Sequence, residues 1–146
     1  LTMDEFEIMK SHTFLGARLF KDTNSDFDDV AMEVALNHHE KWDGTGYPGR
    51  SDNTNIMQDD LYLDENSRFI PKKGKEIPLF GRIVAIADVY DALCSQRAYK
   101  DAWKEDDVIS EIKKNSGAHF DPDIVDAFFG CYDILKSIAK RYPDHE

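Results

Sequence analysis

The sequence has no long hydrophobic run. No stretch approaches the ~18 apolar residues that can span a bilayer, so no membrane contact by this domain is expected. There is no signal peptide and no initial Met; Leu1 starts in mid-pattern, which points to a piece of a longer protein. Cysteine is scarce. Cys94 and Cys131 form no Cys-x-x-Cys pair, so a disulfide framework is excluded. Both lie in apolar helical patterns and are expected to be reduced, buried thiols. Basic residues are outnumbered, with 18 Lys and Arg against 29 Asp and Glu and a net charge of −11. Such a surface repels phosphate polymers and argues against a nucleic-acid polymer as partner. A small phosphorylated ligand is still compatible where a local basic cluster or metal ions offset the field.

What remains fits one folded domain over residues 1–146, with 41% hydrophobic and 12% aromatic residues, too many for a disordered chain. The opening LTMDEFEIMKSHTFLGARLF predicts a helix: Thr2 and Glu5 make a capping box, and Ile8, Leu15 and Leu19 recur at helical spacing. His12 lies in that row and is expected to face the core. After a turn in KDTNSDFDD, a second helix is predicted over Asp28–Trp42. Val30, Val34 and His38 share one row; Ala31, Ala35 and His39 share the next. DGTGYPGR then breaks the pattern with three glycines and a proline. Residues 51–76 read as a long polar insertion, either a solvated loop or a lid, in which LYL and RFI are β-prone enough to pair as a short hairpin. Pro78 opens a helix, IPLFGRIVAIADVYDALCSQ, apolar on nearly all sides and therefore expected to be central. Another helix covers Trp103–Asn115 and ends at Gly117. The last begins with Asp121 as cap and Pro122 as first helical residue, and runs to Arg141. The fold class is all-α, a bundle of about five helices.

His12, His38, His39 and Asp88 all fall in apolar settings. Each alone has an ordinary explanation: a satisfied core histidine, or an Asp paired with Arg82 or Arg97. Together they form a set of imidazole and carboxylate ligands suited to Zn, Fe or Mn, because burying ionisable groups costs several kcal/mol unless they are paired or metal-bound. Adjacent histidines on a helix diverge by about 100°. They suit two neighbouring ions, or one ion and one substrate contact, better than a single ion. Two metals about 3.5–4 Å apart can hold a bridging hydroxide and stabilise a phosphoryl displacement. Beside them, Gly44 and Gly46 permit unusual backbone angles and close approach of a ligand. Tyr47 offers a ring and a hydroxyl, Pro48 stiffens the turn, and Asp43 either caps the loop or orients a nearby histidine. Arg97 and Lys100 read either as a phosphate clamp or as a solvated helix end.

HHEKWDGTGYP, residues 38–48, resembles the signature of the HD-GYP family, HHExxDGxGYP, at every fixed position. IPLFGRIVAIADVYDALCSQRAYK, SHTFLGA and GAHFDPDIVDAF are also similar to segments of that family. The resemblance implies an HD-domain-like helical bundle and a bacterial, cytoplasmic phosphohydrolase that cleaves cyclic di-GMP to pGpG and on to GMP. It implies two or three divalent metal ions, iron or manganese, held by His12, His38, His39 and Asp88. The last three would carry the reacting centre, with a metal-bridging hydroxide as nucleophile. Tyr47, Arg97 and Lys100 would contact the dinucleotide. Upstream sensor or receiver domains and other signalling proteins are the implied partners. Two departures stand out. The chain contains no His-Asp dipeptide, the dyad that names the superfamily, so a domain truncated at its N-terminus is expected. Such a fragment would be weak or inactive alone and prone to form a homodimer through exposed core surface. The 51–76 insertion is also longer than the family's usual connection. Two alternatives follow: a non-catalytic cyclic-dinucleotide or protein-binding signalling module, and an HD-superfamily phosphohydrolase acting on another nucleotide.

Overall fold

The computed structural model describes residues 2–21, 25–51, 69–95 and 102–142. Among these, seven α-helices run in order: α1 Met3–Lys10, α2 His12–Arg18, α3 Asp26–Asn37, α4 Leu79–Cys94, α5 Glu105–Lys114, α6 Pro122–Gly130 and α7 Tyr132–Arg141. A two-stranded antiparallel ribbon pairs β1 Arg50–Ser51 with β2 Phe69–Ile70, Arg50 opposite Ile70 and Ser51 opposite Phe69. A 3-10 turn at Gly74–Glu76 leads into α4.

The expected five helices become seven because two of them break. The first breaks at Ser11, where Ser11 Oγ donates to the Ile8 carbonyl (2.6 Å) and Thr13 Oγ1 to the Lys10 carbonyl (2.9 Å). Such hydroxyl-to-carbonyl bonds compete with the helical ladder and bend it. The last breaks at Cys131, which follows Gly130 and leaves helical geometry with φ −118°. The predicted caps hold. Thr2 and Glu5 bond reciprocally at 2.7 and 3.2 Å, and Asp121 accepts from the Asp123 N–H with Pro122 in the first turn.

The second helix was expected to reach Trp42 but stops at Asn37. The reason is tertiary. The Trp42 and Asp43 N–H groups, which a helix would aim at residues 38 and 39, donate instead to the carbonyls of His119 (3.0 Å) and Ala118 (2.9 Å). The His39 carbonyl is taken by the Tyr47 N–H (3.1 Å). The histidine pair therefore sits just past the helix end, fastened to two loops.

The core gathers Ile86 and Leu93 of α4, Val108 and Ile112 of α5, Phe120, and Val125 and Phe128 of α6. Helix α4 is central as expected, packing on α3, α5 and α6. Gly81 makes its contact with α3 intimate, since a Cβ there would lie 2.6 Å from Asn37 Cβ. Yet α4 is not buried all round: Leu79, Phe80 and Ile83 are exposed. The row expected to face the core on α1–α2 is open too, with Ile8 72%, Leu15 53% and Leu19 78% exposed. Periodicity identifies an apolar face; no element among the described residues packs over this one. Cys94 is likewise exposed and Cys131 half-buried, not the buried thiols expected. The expected LYL–RFI hairpin is replaced in part: Phe69–Ile70 pair with Arg50–Ser51, and LYL lies outside the described residues. No helix among the described residues is long and apolar enough to cross a membrane.

Candidate functional site

Helix α2 packs on α3 with Gly16 against Ala35, and this contact sets His12 beside the histidine pair. One ligand nitrogen from each of His12, His38 and His39 lies within 4.8 Å of the others. His12 Nδ1 is 2.6 Å from the Met9 carbonyl. His38 Nδ1 is 3.0 Å from the carbonyls of Val34 and Ala35. A carbonyl only accepts, so each Nδ1 carries a proton, and Nε2 is the nitrogen each ring turns toward the other and has left to ligate with when neutral. The two Nε2 atoms face each other at 3.3 Å. Facing lone pairs repel unless they share a cation, a proton or a metal ion. Imidazole nitrogens bind metals at about 2.0–2.1 Å, so two on one ion stand about 3.0–3.4 Å apart. The donor set therefore fits a metal, and backbone carbonyls orient the His12 and His38 rings as second partners of metal-binding histidines do.

His39 completes the cluster, its ring 4.1 Å from that of His38 and 4.9 Å from that of His12, centroid to centroid. The adjacent histidines do not splay apart as helical neighbours would, because His39 lies beyond the helix. Burial, then the neighbouring imidazoles of His38 and His12, hold the His39 pKa down at about 4. Its ring is thus neutral, and able to ligate, throughout the neutral range.

Tyr47 stacks on His39, 4.8 Å between centroids with the planes 30° apart. Its hydroxyl reaches Met9 Sδ at 3.6 Å and its ring meets the edge of Phe6. The loop that carries it is built tightly. Asp43 Oδ1 accepts from both the backbone N–H and the hydroxyl of Thr45 (2.9 and 2.7 Å). It therefore caps the loop, and the Thr45 hydroxyl lowers its pKa first of all. Gly44 takes φ +85°, and Gly46 is needed for space: a Cβ there would lie 2.3 Å from Lys41 N. The peptide between Tyr47 and Pro48 is cis.

Asp88 and His12 were both expected in the core; both are exposed. The open α1–α2 row and the open face of α4 account for this. Asp88 lies outside the three-histidine group, though near enough for its charge to act on His39, Tyr47 and His119. Arg82, a candidate partner for Asp88, instead binds the buried Asp121 at 2.5 Å. Arg97 and Lys100 lie outside the described residues.

The structure adds residues that spacing did not single out. His119 flanks the site, stacked on Phe120, with its pKa lowered by burial and then by Lys41. Lys10 sits over the rings of Phe6 and Tyr47 at 4.8 and 5.9 Å. Glu40 is buried within the signature itself, and Lys72 bonds Asn37 Oδ1 at 2.5 Å directly before the histidines. No periodic signal marked Lys72, which arrives from within the 51–76 insertion.

Two family models described as HD domain match the chain, one over residues 1–93 and one over residues 69–124. A protein of Vibrio cholerae named cyclic di-GMP phosphodiesterase is 40% identical over 99% of the chain, which covers 26% of that protein. A second V. cholerae protein, named 3'3'-cGAMP-specific phosphodiesterase 2, is 35% identical over 99% of the chain, which covers 24% of it. The chain thus spans about a quarter of the length of these relatives. A crystal structure of a V. cholerae cyclic GMP-AMP-specific phosphodiesterase superposes with a TM-score of 0.55 at 19% identity, covering 88% of this chain and 24% of that one. At that identity the likeness speaks to the fold, and it is the helical fold described above. With the signature intact at residues 38–48 and its histidines gathered at one point, the chain belongs to the HD domain family, in its HD-GYP branch.

Proposed function

We propose that this chain carries part of the active centre of a metal-dependent phosphodiesterase that hydrolyses cyclic di-GMP to pGpG and GMP in bacterial second-messenger signalling. One observation carries the reading: the Nε2 atoms of His12 and His38 face each other across 3.3 Å, with His39 beside them. Divalent ions, iron or manganese, supply Lewis-acid polarisation of the scissile phosphoryl group and an activated water at neutral pH when bound. His12, His38 and His39 hold them, and Asp88 adds carboxylate charge from α4. Tyr47, stacked on His39, offers its ring to a guanine base and closes one wall against water. Lys10, over the Tyr47 ring, and Arg97 and Lys100 bring the positive charge that a dinucleotide with two phosphates needs on an acidic protein. The enzyme acts in the cytoplasm under the control of an upstream sensor or receiver domain.

The test is anaerobic loading of the longer parent protein with iron or manganese, incubation with cyclic di-GMP, and chromatography of the products. Linear pGpG or GMP is expected, abolished by His39→Ala. No turnover by the metal-loaded parent protein would overturn the reading. A second reading, cleavage of 3'3'-cyclic GMP-AMP, is favoured by the relative of that name at 35% identity, and the same assay run with both substrates separates the two. Dinucleotide binding that survives EDTA without any turnover would instead identify a non-catalytic binding module.

A further inference from the structure

We infer that Glu40 is a positioning residue of this site: by gripping the Gly49 N–H, its buried carboxylate sets the Tyr47 ring against His39. This rests on the phosphodiesterase reading for its consequence in catalysis, though not for its geometry. Glu40 is 1% exposed. Its Oε1 accepts from the Gly49 N–H at 2.6 Å, nine residues along the chain. Its Oε2 is buried without a hydrogen-bond partner among the described residues. A buried carboxylate with one unpaired oxygen is unfavourable for folding alone, so its presence beside the site needs another reason.

The surroundings supply one. Gly49 is confined from the far side by β2, since a Cβ on it would lie 2.7 Å from the Ile70 carbonyl oxygen. Gly46 lies against the Glu40–Lys41 backbone, where a Cβ would come within 2.3–2.6 Å. The Tyr47 N–H is bonded to the His39 carbonyl at 3.1 Å. Tyr47 therefore sits between two pinned glycines, and Glu40 is the side chain that spans the loop to pin the second. Lys72 holds the other end of the device. Its ammonium bonds Asn37 Oδ1 at 2.5 Å, directly before the histidine pair. Lys72 thus ties the segment that follows β2 to the residue before the histidine pair. A protein with Glu40 removed keeps all three histidines but frees the loop that presents Tyr47.

The test uses Glu40→Ala and, in case that protein does not fold, Glu40→Asp, which keeps the charge but withdraws the acceptor from Gly49. Zinc serves as a diamagnetic probe. Zinc stoichiometry by calorimetry should match wild type in each variant, while the Tyr47 ring resonances in ring-labelled protein lose the shift imposed by stacking on His39. Unchanged Tyr47 resonances in a folded variant would overturn the proposal. In the manganese-loaded parent protein, the KM for cyclic di-GMP should rise about 10–100-fold, the range for loss of an orienting partner, with a smaller change in kcat. The double variant with Tyr47→Ala should be no worse than Tyr47→Ala alone. Additive losses would mean that Glu40 acts on the fold rather than through Tyr47, and would also overturn it. If wild type turns over no cyclic dinucleotide, the phosphodiesterase reading fails while the resonance arm still decides Glu40.

Discussion

The two halves of this molecule are held by different means. Around α4, α5 and α6 a closed core excludes water, with Val108 and Ile112 fully buried and Phe120 and Val125 in the same cluster. On α1 and α2 almost nothing is buried: α1 has no buried residue, and α2 has Thr13 and Ala17. Yet the site draws His12 from the open half and the histidine pair from the junction. Its order comes from short polar ties: Met9 and Val34 carbonyls on histidine nitrogens, Glu40 on Gly49, Trp42 and Asp43 on the His119 loop. Apolar burial and polar fastening predict different responses to mutation. Phe120→Ala empties the packed half and is expected to cost about 3–5 kcal/mol in urea unfolding. A cost below about 1 kcal/mol would show that this core is loosely packed and the contrast false.

The junction should come next. Gly46→Ala drives a methyl into the Glu40–Lys41 backbone, and overpacking of this kind costs about 1–3 kcal/mol. Because the strain falls on the loop, zinc binding by the three histidines should fall less than cyclic di-GMP binding. Equal loss of both, by calorimetry, would mean that the loop and the histidine cluster are one unit.

The sequence carried much of this in local patterns, and the reasons for its failures are physical. The Thr2–Glu5 and Asp121–Pro122 caps were legible because capping depends on neighbours within four residues. The three histidines and the Tyr47 loop were legible because the signature residues are contiguous or lie on regular rows. What could not be read was long-range. Nothing local announces that the Trp42 N–H prefers the His119 carbonyl to continuing α3, so the helix was drawn five residues too long. Nothing local says that the Ile8, Leu15 and Leu19 face has no cover, because periodicity records which face is apolar and is silent about what packs on it. Lys72 was invisible for the same reason: its partner Asn37 is 35 residues away.

A smaller effect is expected from pH, and it tests the polar fastening directly. His39 titrates at about 4 in the folded protein against 6.5 in an unfolded chain, and His119 shifts in the same direction. Below pH 6.5 the unfolded chain binds these protons first, so the stabilisation is present above 6.5 and is lost as pH falls toward 4. Glu40, raised by burial, acts in the opposite sense over part of that window. The clean measurement is therefore a difference. The metal-free His39→Asn protein should lose less thermal stability than wild type between pH 6.5 and 4. If the two melting curves shift in parallel, His39 is not held neutral by burial and its neighbours.

The smallest effect is expected at Leu15, and it sharpens the comparison most. The residue is 53% exposed on the open row, so Leu15→Ala should change stability by no more than about 0.5 kcal/mol. That holds if the row faces water in solution. The row of Ile8, Leu15 and Leu19 is also an exposed apolar face, the kind of surface that a second copy of the chain can cover. The two cases differ in a way that dilution exposes. For a monomer, the melting temperatures of wild type and Leu15→Ala are independent of protein concentration. If the row is an interface, the wild-type melting temperature rises with concentration and Leu15→Ala loses that rise, at a cost well above 0.5 kcal/mol. In that event the open half is not held by polar ties alone, and His12 owes part of its position to burial that only the dimer provides.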